Sequence, residues 1–118
     1  MTAANIAVAV VAALHVGFLI LEMFLWKTPF GRKTFAMDEA FAARSASLAA
    51  NQGLYNGFLA AGLVWGLMAT TSGLEIKTFF LACVVVAGIF GGLTAKKSII
   101  LLQALPAVVA LGLLYFKG

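Results

Sequence analysis

Charge is what this chain has least of. Only 10% of its 118 residues are Asp, Glu, Lys or Arg, where a soluble domain carries about 25%. With one cysteine, Cys83, no internal disulfide can form, which excludes a secreted disulfide scaffold. Basic residues are few as well: eight Lys and Arg give a formal net charge of +4. They cluster between apolar runs, as membrane topology signals do, rather than forming a nucleic-acid surface. What abounds is apolar: 64% of residues are hydrophobic and the mean hydropathy is +1.08. A chain this short buries only about two-thirds of its surface, so as a soluble monomer it would expose the excess. A soluble monomer, a nucleic-acid module and a disordered tail are therefore excluded.

A bilayer core of about 30 Å takes about 20 apolar residues at 1.5 Å rise. Met1 to Leu21 carries no charged side chain, and beyond Glu22 the apolar run resumes to Trp26. Ser45–Leu74, Thr78–Ala95 and Ser98–Phe116 are likewise free of Asp, Glu, Lys and Arg and carry nothing more polar than amides and hydroxyls. These runs predict an all-α integral membrane protein with four transmembrane helices in an antiparallel bundle, near residues 3–26, 47–71, 76–95 and 98–116 of a single domain. Lys27, Arg32, Lys33 and Arg44, with Lys96 and Lys97, oppose only Lys77 and Lys117. That bias places the 27–46 connection in the cytoplasm and both termini outside. The first run lacks a basic stretch before it, so it reads as an uncleaved helix rather than a secretory signal.

Pro29 and Gly31 break the first helix just after Trp26, an aromatic suited to the interface. Asp38 is placed to cap a new helix, with Glu39 in its first turn and Phe41, Ser45 and Leu48 at helical spacing. Run unbroken from Asp38 to Thr70, that helix would be about 50 Å long. Gly53 and Gly57, Gly62 and Gly66, and Gly88 and Gly92 stand four apart. Such spacing lets helices approach closely, within one chain or between copies in a homodimer.

The polar residues carry the functional reading. Ionisable side chains at membrane depth cost several kcal/mol and turn inward toward a site or partner. Glu22 and His15 lie seven apart, on one face and about 10 Å from each other along the axis. Asn51, Gln52, Tyr55 and Asn56 open the second run, and Gln103 precedes Pro106 in the fourth. In the four-helix reading Asn51, Gln52, Tyr55, Asn56 and Gln103 fall within about 12 Å of the cytoplasmic end, where Glu22 also leaves the membrane, and His15 lies near the midplane. The expected site is therefore Glu22, Asn51, Gln52, Tyr55, Asn56, His15 and Gln103. Its rival is a set of interhelical hydrogen bonds with no ligand. A metal centre needs three or four ligands, and Glu22, His15 and Cys83 fall short of one. No nucleophile–base pair, phosphate loop or dinucleotide fingerprint is present, so no catalytic residue and no cofactor is assigned.

Leu21-Glu22-Met23-Phe24-Leu25-Trp26, followed by Thr28-Pro29 and Gly31-Arg32, resembles the end of the first span in a family of small bacterial membrane proteins. So does Asn51-Gln52-Gly53-Leu54-Tyr55-Asn56-Gly57 with Leu59-Ala60-Ala61-Gly62-Leu63. The family is catalogued as domain of unknown function 1304. The resemblance implies a multi-pass protein of the bacterial inner membrane, with Glu22 and the Asn51 to Gly57 run as signature positions, and it implies no activity. The leading expectation is small-solute or proton-linked transport by a homo-oligomer, with a small polar or cationic solute at Glu22. Two others stand beside it. One is an accessory or assembly subunit with a purely structural polar cluster. The other is a membrane enzyme acting on a lipid or quinone-like substrate, with Glu22 or His15 as base. The reading favours a protein that is not an enzyme.

Overall fold

The computed structural model describes residues 2–116, and all of their regular structure is helical. In chain order come α1 (Ala3–Met23), α2 (Pro29–Thr34), α3 (Glu39–Met68), α4 (Gly73–Thr94), a π turn (Ile100–Ala104) and α5 (Leu105–Phe116). Local chemistry sets most of these boundaries. Thr28 caps α2, its hydroxyl accepting from Gly31 N at 3.1 Å, and Pro29 occupies the first helical position. Asp38 caps α3: Phe41 N–H donates to Asp38 Oδ1 at 2.7 Å, at the position its spacing predicts. Ahead of Pro106, which has no N–H to give, Leu105 N–H bonds to Ile100 O five residues back and the helix widens into its π turn.

The expectation of four transmembrane helices in an antiparallel bundle is corrected to two helices of crossing length. Among the described residues only α1 and α4 are long and apolar enough to cross a membrane. The second apolar run is part of the 30-residue α3. Its stretch of crossing depth includes Asn51, Gln52 and Asn56, neutral side chains that a count of charges passes over. The fourth run forms the shorter apolar helix Ile100–Phe116, a five-residue π turn leading directly into the 12 residues of α5. With four crossings goes the alternation that set both termini outside; Met1, Lys117 and Gly118 lie outside the described residues. Only 22% of the most apolar stretch of α1, and the same share of α4, is buried within the chain. A core helix of a soluble protein would be mostly covered, whereas here Ile6, Val10, Val16 and Ile20, and Phe79, Val86, Ile89, Phe90 and Leu93, face outward. Two such helices suit a membrane-associated protein.

The chain divides into two units, one of Leu14–Phe58 and one of the residues up to Ala13 with those from Leu59 onward. In the second, Ala4, Val8, Val11 and Ala12 of α1 form one core with Leu63 of α3, Leu81 and Val84 of α4, and Ala107, Ala110 and Leu114 of α5. Small residues set the spacing there. A Cβ on Gly88 would lie 2.6 Å from Ala104 N, so α4 meets the π turn backbone to backbone. Lys77 Nζ donates to Asn5 Oδ1 at 2.8 Å, and Thr78 and Tyr115 share a hydroxyl hydrogen bond of 2.7 Å.

In the unit Leu14–Phe58, the lower part of α1 is packed against α3 at two glycines. A Cβ on Gly53 would lie 2.7 Å from Met23 Cγ and 3.2 Å from Leu19 O, and one on Gly57 would lie 2.6 Å from Leu19 Cδ1. Gly31 has no room for a side chain, because a Cβ would overlap Leu25 O, so α2 folds back closely on the end of α1. Trp26 fastens the connection: its Nε1 donates to Ser45 Oγ at 3.0 Å and its ring lies 4.8 Å from that of Phe35.

Candidate functional site

Glu22 and Asn56 are brought together by helix periodicity. On α3 the buried positions Ala42, Ala49, Gly53, Asn56 and Ala60 recur at three, four and seven residues and form one stripe. Gly53 in that stripe admits α1 so closely that its missing Cβ would lie 3.1 Å from Glu22 Cβ. One turn further on, Asn56 Nδ2 donates to Glu22 Oε1 at 2.6 Å. Asn56 is only 4% exposed and Glu22 is half-buried. The carboxylate thus has a neutral amide as its partner; among the described residues the only ion pair is Arg32–Glu39, at 3.8 Å. A hydrogen bond of this kind contributes about 0.5–3 kcal/mol, the upper end applying to an ionised carboxylate.

Within the same unit, Asn51, Gln52 and Tyr55 do not join this pair. Asn51, Gln52 and Tyr55 are exposed, Tyr55 by 52%, with its ring edge-on to Phe58 at 5.8 Å. At 100° per residue, Asn51 and Tyr55 point away from the Gly53–Asn56 stripe. His15 is fully buried two turns before Glu22, with its ring edge-on to Phe18 at 5.1 Å. Gln103 is buried in the π turn and belongs to the other unit. Among the described residues no three His, Cys, Asp or Glu side chains gather as metal ligands would.

A second feature escapes the sequence reading. Met23, Phe24, Trp26, Lys27, Thr28 and Ala46 line an open groove of about 270 Å³ where α1 ends. Its local signals are legible after the fact: the Thr28-Pro29 cap that turns the chain back, and a Ser at position 45 in reach of the Trp26 indole.

Comparison with known proteins covers nearly the whole chain. Residues 9–115 match the family described as protein of unknown function (DUF1304). An uncharacterized protein of Lactococcus lactis, YpaA, is 32% identical over 114 residues, which are 94% of this chain and 96% of that one. No solved structure matches. The Glu22 and Asn51–Gly57 segments lie inside the matched region, as do both helices of crossing length apart from the first turns of α1, and the chain belongs to the DUF1304 family.

Proposed function

We propose that the chain is a membrane-associated accessory subunit in which the Glu22–Asn56 pair is a structural clasp. The observation that carries this reading is the pairing itself. Glu22 Oε1 is taken by Asn56 at 2.6 Å, and Gly53 packs against the Glu22 stem. Meanwhile Asn51, Gln52 and Tyr55, the other groups that could serve a solute, are directed outward. Outward amides and a phenol on a helix are suited to hydrogen bonds with a neighbouring subunit, a second copy of this chain included. The membrane supplies the surroundings for the exposed apolar faces of α1 and α4.

Transport is the competing reading, and one observation favours it: a carboxylate half-buried beside an apolar helix is a costly group to keep without use. The two readings part at Glu22→Gln. An amide oxygen still accepts from Asn56, so a clasp survives, whereas a carboxylate that carries a proton or a cation is lost. The test is the purified full chain in proteoliposomes loaded with a pH-sensitive dye. The accessory reading expects no proton flux above that of empty vesicles, for either the parent chain or Glu22→Gln. It also expects a photo-crosslinker at position 55 to give one discrete adduct in native membranes. Flux that Glu22→Gln abolishes in a folded protein would establish transport instead.

A further inference from the structure

We infer that the groove at the end of α1 is a headgroup site for an anionic phospholipid, with Lys27 on the phosphate and Met23, Phe24 and Trp26 against the glycerol and upper acyl chain. The inference rests on the membrane reading above and is independent of the role given to Glu22. Depth is the first argument. α1 has 21 residues, about 32 Å of helix, which matches a hydrocarbon core of about 30 Å. The groove begins at its last residue, Met23, where hydrocarbon gives way to headgroups.

Shape and charge supply the rest. The Trp26 ring is held by Ser45 Oγ at 3.0 Å and by Phe35 at 4.8 Å, so one wall is fixed before any ligand arrives. Thr28 Oγ1 is already committed, donating to Leu25 O at 2.6 Å and accepting from Gly31 N. That leaves Lys27 as the polar group of the lining able to bind, since it is exposed and makes no ion pair among the described residues. The same segment carries Arg32, Lys33 and Arg44 against Asp38 and Glu39, and Arg32 already lies 3.8 Å from Glu39. An aromatic wall and an unpaired lysine on a basic segment complement an anionic headgroup with an apolar stem.

The test uses the full chain with Trp65→Phe, so that Trp26 is the remaining tryptophan. It is reconstituted in phosphatidylcholine vesicles holding equal fractions of either brominated phosphatidylglycerol or brominated phosphatidylcholine. Bromine quenches an indole in contact, so the ratio of the two quenching curves reads the headgroup preference at the groove. Brominated phosphatidylglycerol is expected to quench more strongly. Lys27→Gln should reduce that preference about fivefold, the effect of one lysine at an anionic surface. Ala46→Leu, which fills the groove and alters no charge, should reduce it as well. Lys97→Gln should leave it unchanged, and millimolar inorganic phosphate should not displace the lipid. Circular dichroism confirms folding of each variant, and the comparison of Lys27→Gln with Lys97→Gln decides the matter even where Ala46→Leu fails to fold. Equal quenching by the two lipids overturns the site, as does an equal effect of Lys97→Gln. Retained preference in a folded Ala46→Leu, or its loss to inorganic phosphate, overturns it too. No quenching by either lipid overturns the membrane reading itself.

Discussion

Asn56 reaches back across 34 residues of sequence to give its amide proton to Glu22, at 2.6 Å. It does so one turn from Gly53, whose lack of a side chain lets α3 lie against the Glu22 stem. Removing the amide and altering the carboxylate therefore have unequal consequences. Asn56→Ala strands a half-buried acceptor and is expected to cost about 1–3 kcal/mol. Glu22→Gln keeps an acceptor in place and should cost less than about 1 kcal/mol. Thermal unfolding in detergent of both single variants and the double variant checks this. In the double variant part of the Asn56→Ala loss should disappear, because no carboxyl group is then left without its donor.

Glycines that look alike in the sequence should behave differently. At Gly88 an added Cβ would meet Ala104 N at 2.6 Å, and backbone cannot swing aside as a side chain can. Gly88→Ala is expected to lower the stability by about 1–3 kcal/mol. Gly112 sits inside α5 with nothing within 4 Å of its missing Cβ. Gly112→Ala should be neutral or raise stability by up to about 1 kcal/mol through helix propensity. A side-by-side melting series of the two variants would expose an error in either.

Trp26→Phe keeps an aromatic wall and removes the donor to Ser45. A loss of about 1 kcal/mol is expected, matched by Ser45→Ala and not doubled in the combined variant. Ser45 also donates to Phe41 O one turn back, a bond that adds little inside a helix, so the indole bond is the element the two variants share.

At the head of α3, Asp38→Ala removes the acceptor for Phe41 N–H and should cost about 1 kcal/mol. Amide hydrogen exchange should rise in residues 39–42 and leave the Gly53–Asn56 turn unchanged. Faster exchange spread evenly over the whole helix would contradict a local cap.

The sequence discloses those features whose causes are local. The Thr28-Pro29 and Asp38 caps need only neighbouring backbone, so both can be read without a fold. The Glu22–Asn56 contact is legible for another reason: a carboxylate in an apolar helix must find a donor, and one of four nearby candidates had to supply it. Which one is a question of helical phase. Asn51, Tyr55, Gln52 and Asn56 spread over an arc of about 140° around the axis, so the polar residues alone cannot say which of them faces inward; the small residues Ala49, Gly53 and Ala60, just past the Asn56 edge of that arc, do. The count of crossings misleads because it weighs formal charge alone. Asn51, Gln52 and Asn56 are uncharged yet expensive to bring out of water, and the fourth run yields only the shorter apolar helix Ile100–Phe116, widened at its start ahead of Pro106. Trp26 reads correctly as a boundary aromatic, whereas its groove depends on α2 folding back at Gly31, a close approach that no periodicity announces.

The π turn before Pro106 has a consequence for how this chain tolerates length changes. An α-helix that gains or loses a residue rotates everything beyond it by about 100°, which would swing Ala107, Ala110 and Leu114 out of their core. Between Ile100 and Ala104 the helix has already taken up a surplus residue, with Leu105 N–H reaching five positions back to Ile100 O. Deleting one residue there tightens the coil to ordinary pitch and leaves the register of α5 intact. The same deletion at Val108 has no slack to draw on.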